Sequence, residues 1–374
     1  MTIPLVDLKA NYLSIKGDID AAIKDVILNS AFIMGPKLKM FEENFARMSG
    51  MEHCICVANG TVAVELALRA LGIKKGDEVI TAANTFIATS ESITNVGAKV
   101  VLCDVEQDSL NLDPALLMKR ITKKTKAIIA VHLYGRMAEM EEIKKIADSH
   151  NLLLIEDAAQ AHLAEYKGKK PGVISGMATY SFFPAKNLGA FGDAGAIVTN
   201  NAELAKKMDM LRNHGRTDKY LHEFEGHNYR MDTLQAAILD AKLKYLDVWT
   251  RARIRHAKMY DELFAELNKK LGDVVTTPKT HPDYKQVYYM YVIRVQRRDE
   301  LMKFLAGKGI QCGIHYPIPL HLQPAYRYLK YRKGDFPVAE KACDEILSIP
   351  MYPELSEEQV RYVVGSVEEF FGKK

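Results

Sequence analysis

Seven short apolar runs constrain this chain more than any other feature. "HCICVA", "DEVITAA", "AKVVLCDV", "KAIIAVHLYG", "NLLLIEDAA", "ATYSFF" and "GAIVTN" follow one another between His53 and Asn200. They are apolar at nearly every position rather than at every second one, so each strand must be buried on both faces. Between the earlier runs lie helical patterns over Val62–Leu71, Ile87–Val96, Ala115–Ile121 and Met140–His150, the third opened by Asp113-Pro114. Doubly buried strands alternating with helices predict an α/β fold, a mostly parallel seven-stranded sheet between helices.

From Asp232 the pattern changes. "LQAAILDAKLKYLDVWTRARIRHAKMYDELFAEL" has few breakers and reads as one long helical stretch bridging two units. After Gly272-Asp273 the chain restarts with a strand-like "YYMYVIRV", a helix around Leu301–Leu305, a loop rich in proline and histidine, and a closing helix. The expected organisation is an N-terminal arm and helix over 1–30, a large domain over 31–247 and a smaller C-terminal α/β domain over 248–374.

Composition narrows the function classes. Fifty-one basic and 47 acidic residues leave a net charge of +4, with both signs interspersed. That argues against nucleic acid or an anionic membrane as a partner. The five cysteines form no zinc-type pair, and Cys54 and Cys56 are spaced to share one strand face, so packing thiols and no metal are expected. The start, "MTIPLVDLKANYLSIKGDID", reads as neither a signal peptide nor a span, and a cytoplasmic protein is expected.

Four stretches carry chemistry. In "YSFFPAKNLGAFGDAGAIVTN", Lys186 sits between aromatic residues and glycines, unlike the solvated Lys74-Lys75 or Lys123-Lys124. A lysine buried there needs a partner or a lowered pKa, and a lowered pKa suits a Schiff-base amine; the alternative is a loop lysine reaching water. "CVANGTVAVELALRALG" puts Gly60 and Thr61 at a helix N-terminus, an anion site or simply a cap at Thr61. "LLLIEDAAQAH" runs a buried strand into Glu156-Asp157, where Asp157 is either a helix cap or a counter-ion for a protonated ring nitrogen. "AANTFIATSES" places Phe86 at another strand end, in the core or against a flat ring. Together these ask for one ligand with a phosphate, a basic ring nitrogen and a carbonyl, which pyridoxal phosphate possesses.

The chain resembles the DegT/DnrJ/EryC1/StrS family of pyridoxal-phosphate-dependent nucleotide-sugar aminotransferases. The resemblance runs from "PLVDLKANY" to "ILSIPMYPEL" and includes "FIMGPKLKMFEENFA", "NGT", "ALGIKKGDEVI", "TFIAT", "TKAIIAVHLYG", "IEDAAQAH", "SFFPAKNLGAFGD", "RNHG", "GHNYRMDTLQAAIL" and "IHYPIPLHLQPAY". It implies an aspartate-aminotransferase-like fold (fold type I), with the cofactor in the large domain. It implies that Lys186 is the Schiff-base lysine, that Asp157 meets the pyridine nitrogen, that Gln160 reaches the ring hydroxyl and that Phe86 stacks on the ring. Gly60, Thr61 and Ser181 would hold the phosphate. Asn228 would reach the phosphate of a neighbouring subunit, and Arg230 lies in the same site-completing loop, so a homodimer with shared sites is implied. The donor implied is an amino acid, usually L-glutamate, and the acceptor a nucleotide-linked keto-sugar. The chain departs from the family at Leu163 (often Gly), Ala185 (often Ser or Thr), Ala194 (often Gly) and Val62 (often acidic). Leu163 lies beside His162 and so bears on the shape expected for the sugar pocket.

Within "GIHYPIPLHLQPAY", prolines remove backbone donors, leaving His315, Tyr316 and His321 to recognise substrate, unless this is a structural proline loop with surface histidines. The pattern resembles relatives acting on 3-keto sugars, with 4-keto acceptors as the alternative, and His162 and Tyr180 are expected to share in holding the sugar. A dehydratase of the same family would carry histidine at the Schiff-base position, against Lys186. A sensory or regulatory protein would need a DNA-binding helix pair, and no such segment is visible.

Overall fold

The computed structural model describes residues 1–372. The apolar runs become β1 (His53–Val57), β2 (Glu78–Ala82), β3 (Lys99–Cys103), β4 (Thr125–Val131), β5 (Leu153–Asp157), β7 (Met177–Ser181) and β8 (Gly195–Thr199), and a two-residue β6 (Glu165–Tyr166) lies between β5 and β7. Seven of them form one sheet in the order β1-β8-β7-β5-β4-β2-β3. Every residue of β2, β7 and β8 is buried, which is why these segments are apolar almost throughout.

Six strands run one way and β8 runs against both of its neighbours, β7 and β1. A parallel return to the sheet needs a crossover, usually a helix, whereas an antiparallel one does not. No helix lies between Ser181 and Gly195, so the chain turns back on itself. The stretch bearing Lys186 is that turn, and it emerges at the carboxyl end of β7, beside the carboxyl end of β5.

Two helical expectations need correction. Ala115–Ile121 is helical only over Pro114–Leu117, followed by a 3-10 turn over Met118–Arg120; only Leu117 of these is buried, too little to hold a longer helix. The long stretch after Asp232 is two helices, Thr233–Leu243 and Leu246–Leu271. They part at Lys244-Tyr245 because their apolar stripes face different cores. Ala236 and Leu239 pack with the seven-stranded sheet, while Ala257, Tyr260, Phe264 and Leu267 pack into a second core. That second core covers an antiparallel sheet of β9 (Val275–Thr276), β11 (Tyr291–Val295) and β12 (Ile346–Ile349), in the order β12-β11-β9. The short β10 (Tyr284–Lys285) pairs with β6 in a separate two-stranded sheet and so joins the region before β11 to the segment between β5 and β7.

Behind the lysine turn stands an aromatic cluster. Phe45 meets Tyr180 at 5.0 Å, Phe182 at 5.1 Å and Phe41 at 5.6 Å between ring centroids. Burying each such ring contributes roughly 2–3 kcal/mol, so this wall is a rigid backing for the turn. All five cysteines are free, with Cys56 buried and Cys54 half-buried on β1. Among the described residues no helix is long and apolar enough to cross a membrane.

Candidate active site

The carboxyl ends of β5 and β7, the N-terminus of the Gly60–Ala70 helix and the lysine turn enclose a cavity of about 480 Å³. Ligands of open α/β sheets bind at this edge. Its lining includes Gly60, Thr61, Phe86, Asp157, Gln160, Ser181, Lys186, His315 and Tyr316. It also includes Asn59, Asp193 and Tyr289, which sequence reasoning did not single out.

One end of the cavity is a cradle of backbone. A Cβ on Gly60 would stand 2.6 Å from Cβ of Ser181, and one on Gly195 would stand 2.4 Å from the carbonyl carbon of Asn59. Glycine at these positions lets the helix start press against the ends of β7 and β8. The cap is Asn59, not Thr61: its side chain accepts from the N–H of Val62 at 2.9 Å. Thr61 lies inside the helix, in the first turn, where N–H groups have no intrahelical acceptor and the helix dipole favours an anion. Such a cradle suits a phosphate.

Asp157 ends β5 facing the cavity. Thr89 Oγ1 donates to its Oδ2 at 2.8 Å and the N–H of Ala159 donates to its Oδ1 at 3.1 Å. No helix follows Asp157, so it caps none. Glu156, one residue earlier, points to the other face of the strand. There it accepts from His132 Nε2 at 2.7 Å and from Ser175 Oγ at 2.8 Å. His132 Nδ1 accepts the N–H of Ala138, which fixes the proton on Nε2. The two adjacent carboxylates therefore have separate tasks.

The turn after β7 folds tightly. The N–H of Lys186 donates to the carbonyl of Phe183 at 2.8 Å, and a Cβ on Gly189 would lie 2.1 Å from the Pro184 carbonyl oxygen, so only glycine closes the turn. The Lys186 side chain is half-buried, its Nζ 4.2 Å from the centroid of the Tyr289 ring. Burial lowers its pKa to about 8, with Asp157 opposing the fall. Burial, with Lys186 adding to it, also pushes His315 down to about 4, leaving it neutral. His315 Nδ1 pairs with Ser348 Oγ at 2.8 Å. Gln160 is pinned at both ends: its Oε1 accepts from the N–H of Tyr134 at 2.6 Å, and its Nε2 donates to Tyr316 Oη at 3.2 Å. The Tyr316 ring lies 5.4 Å from that of Phe86, which is half exposed in the cavity rather than packed in the core.

Five expected site residues lie elsewhere. His162 and Tyr180 are buried in the aromatic wall, packed on Phe45, and do not line the cavity. Leu163 shares that correction. It bears on the backbone, at φ 63°, where glycine is easiest, and not on the shape of the pocket. His321 is buried against Phe336 with its Nε2 bonded to Glu340 Oε1 at 2.9 Å, a fold contact. Asn228 is exposed, and Arg230 Nη1 donates to Asn213 Oδ1 at 3.0 Å; neither lines the cavity of its own chain. Thr89 stood inside "TFIAT" but was given no role. Tyr289 carried a weak signal, its place in the aromatic run "YYMY".

The chain is similar to known proteins over nearly its whole length. The model of the DegT/DnrJ/EryC1/StrS aminotransferase family matches residues 13–368. A protein of Geobacillus stearothermophilus named pleiotropic regulatory protein is 48% identical over 99% of each chain. The dTDP-3-amino-3,4,6-trideoxy-alpha-D-glucose transaminase of Streptomyces venezuelae is 42% identical over 98% of this chain and 96% of its own. The crystal structure of S. venezuelae DesV in complex with a ketimine intermediate superposes with a TM-score of 0.95 at 41% identity, covering 100% of this chain and 99% of that one. With its sheet, lysine turn and strand-end carboxylate in place, this chain belongs to the DegT/DnrJ/EryC1/StrS aminotransferase family.

Proposed function

We propose that this chain takes an amino group from an amino acid, L-glutamate by resemblance, and delivers it to carbon 3 of a nucleotide-linked keto-sugar, with pyridoxal 5′-phosphate as cofactor. One observation carries this reading: the pKa-lowered amine of Lys186 shares a cavity with Asp157, which is itself held by Thr89 and Ala159. The cradle of Gly60, Thr61 and Ser181 fits the phosphate, Asp157 the ring nitrogen, Gln160 the ring hydroxyl and Phe86 the ring face. When bound, the cofactor supplies a carbonyl that exchanges amines and a ring that accepts an electron pair. Asp157 holds the proton at the ring nitrogen. Lys186, partly unprotonated near neutral pH, would take the proton from the α-carbon of the donor as a base and deliver it as an acid to C4′, the carbonyl carbon of the cofactor. Tyr289 lies under its amine and limits where the side chain can swing.

Carbon 3 is supported by the name of the S. venezuelae relative, and His315 and Tyr316 line the cavity where they can meet the sugar. A shared site is supported by charge. Among the described residues, the lining contains one cation, Lys186, beside Asp157 and Asp193. A nucleoside diphosphate needs more positive charge than that, and the Asn228–Arg230 segment of a second copy would supply it. We therefore propose a homodimer, and we further propose the cytoplasm as its location, an N-terminal arm over 1–30, a cofactor domain over 31–247 and a small domain over 248–374.

The test loads the protein with the pyridoxamine form and offers matched 3-keto and 4-keto nucleotide sugars. Return of the aldehyde-form absorbance, faster with the 3-keto compound, is expected. Preference for the 4-keto compound overturns the position, and loss of the sugar's oxygen in place of amination would indicate a dehydratase. The name of the Geobacillus relative favours one second reading, a regulator. No transfer to any sugar in the panel would favour it.

A further inference from the structure

Lys186 borders two cavities. The second lies behind the first and measures about 20 Å³. It forms where the lysine turn, the Leu246–Leu271 helix and the segment ending in Glu354 meet, with Asn11 closing it from the N-terminal arm. A space of that size holds one water and nothing larger.

Three side chains that line it carry buried polar atoms without partners. Arg253 is 4% exposed; its Nη1 donates to the Met351 carbonyl at 2.8 Å and the Tyr288 carbonyl at 3.3 Å, yet its Nε has no acceptor. Asn187 is 5% exposed; its Nδ2 donates to the Val287 carbonyl at 3.1 Å, yet its Oδ1 has no donor. Glu354 accepts from Asn11 Nδ2 at 2.9 Å through Oε1, while its buried Oε2 has no donor. Leaving such groups unpaired is costly, about 1–3 kcal/mol for each. One donor and two acceptors suit a water molecule, which donates two bonds and can accept the one offered. Asp7 and Glu354 together offset the cations Arg253 and Lys242 on the same wall, so a neutral ligand suits the space.

We propose that this chamber binds one ordered water, held by Arg253 Nε, Asn187 Oδ1 and Glu354 Oε2, and that through it Glu354 positions the turn bearing Lys186. Asn187 is the next residue after Lys186, and the backbone next to Arg253 carries Tyr289, whose ring lies under the Lys186 amine. The chamber thus fixes the lysine turn and its aromatic floor together. Glu354 is a positioning residue, since it touches neither cofactor nor substrate. This second half rests on Lys186 being the reacting amine.

Crystals grown with and without pyridoxal phosphate test the first half. One solvent peak within hydrogen-bond reach of all three atoms is expected in both; side chains bonded directly to one another, or a bound ion, overturn the site. Kinetics test the second half. Glu354→Leu should lower kcat about tenfold while KM for the amino donor stays within about twofold, and Glu354→Gln, which keeps an acceptor, should recover most of the loss. Full activity in Glu354→Leu, or equal loss in Glu354→Gln, overturns the positioning role. Should Glu354→Leu not fold, Asn11→Ala removes the other partner of the carboxylate, and kcat should fall about threefold; unchanged kcat overturns the role. A wild type with no transfer sinks the proposed function and the positioning role with it, while the solvent peak is judged by the density alone.

Discussion

Lys186 should weigh on the stability of the cofactor-free protein, and replacing it by methionine should reveal how much. Its pKa falls from 10.5 in the unfolded chain to about 8 in the folded one. Below about 8 the amine is charged in both states, and the folded state bears the full penalty of holding that charge. Between about 8 and 10.5 the folded protein has released the proton while the unfolded chain keeps it, so stability rises with pH across that window. A shift of this size corresponds to roughly 3 kcal/mol at most, and the open face of the half-buried side chain reduces it to roughly 1–2 kcal/mol. Lys186→Met should therefore be more stable than the wild type by that amount at pH 7, and the advantage should shrink toward pH 10.5. Urea unfolding of both proteins without cofactor, at several pH values, reads the difference. Lys242, also lowered to about 8 by burial, is present in both and cancels. Parallel stability curves across the window would refute the idea that Lys186 folds as a strained, easily deprotonated amine.

Gly60→Ala forces its new Cβ against Ser181, so it should destabilise by about 1–3 kcal/mol and weaken cofactor binding at least about tenfold; an absorbance titration giving wild-type affinity contradicts the cradle. At Leu163, with φ at 63°, the usual order should invert: Leu163→Ala should lose about 2–4 kcal/mol, and Leu163→Gly about 1 kcal/mol less than that, by thermal or urea unfolding. Equal loss in the two argues that the left-handed backbone is not what the position demands. Mixing Lys186→Ala with Asn228→Ala, each inactive or severely impaired alone, should recover activity in hybrid dimers once subunit exchange is shown. No recovery in proven hybrids counts against shared sites.

Much of the fold was readable because it rests on local pattern. Continuous apolarity marks strands buried on both faces, and all seven apolar runs joined one sheet. Lys186 and Asp157 stood out for a related reason: a charged residue among apolar or aromatic neighbours is an exception that needs a partner. The reversal of β8 was not foreseen, although its cause, the missing helix between Ser181 and Gly195, is written in the chain. The division at Lys244-Tyr245 was hidden because both flanking segments have the same helical period and differ only in which core receives them.

Side-chain direction at the site divides the same way. Alternation along β5 sends Asp157 toward the cavity and Glu156 away from it, and alternation is a local rule. His162, Tyr180 and His321 were assigned by nearness in sequence to cofactor or loop residues, and packing decided otherwise: Phe45 from a distant helix claims the first two, and Glu340 claims the third. Tyr289 reaches Lys186 only because the second core is docked against the lysine turn. The amino-acid sequence by itself determined the seven strands of the large sheet and the two residues that must find partners, since periodicity and the penalty for burying charge act within a few residues. The tertiary structure alone decided which aromatic ring lies beneath the amine, which histidines face the cavity and what lies behind Lys186, because those depend on contacts between segments far apart in the chain.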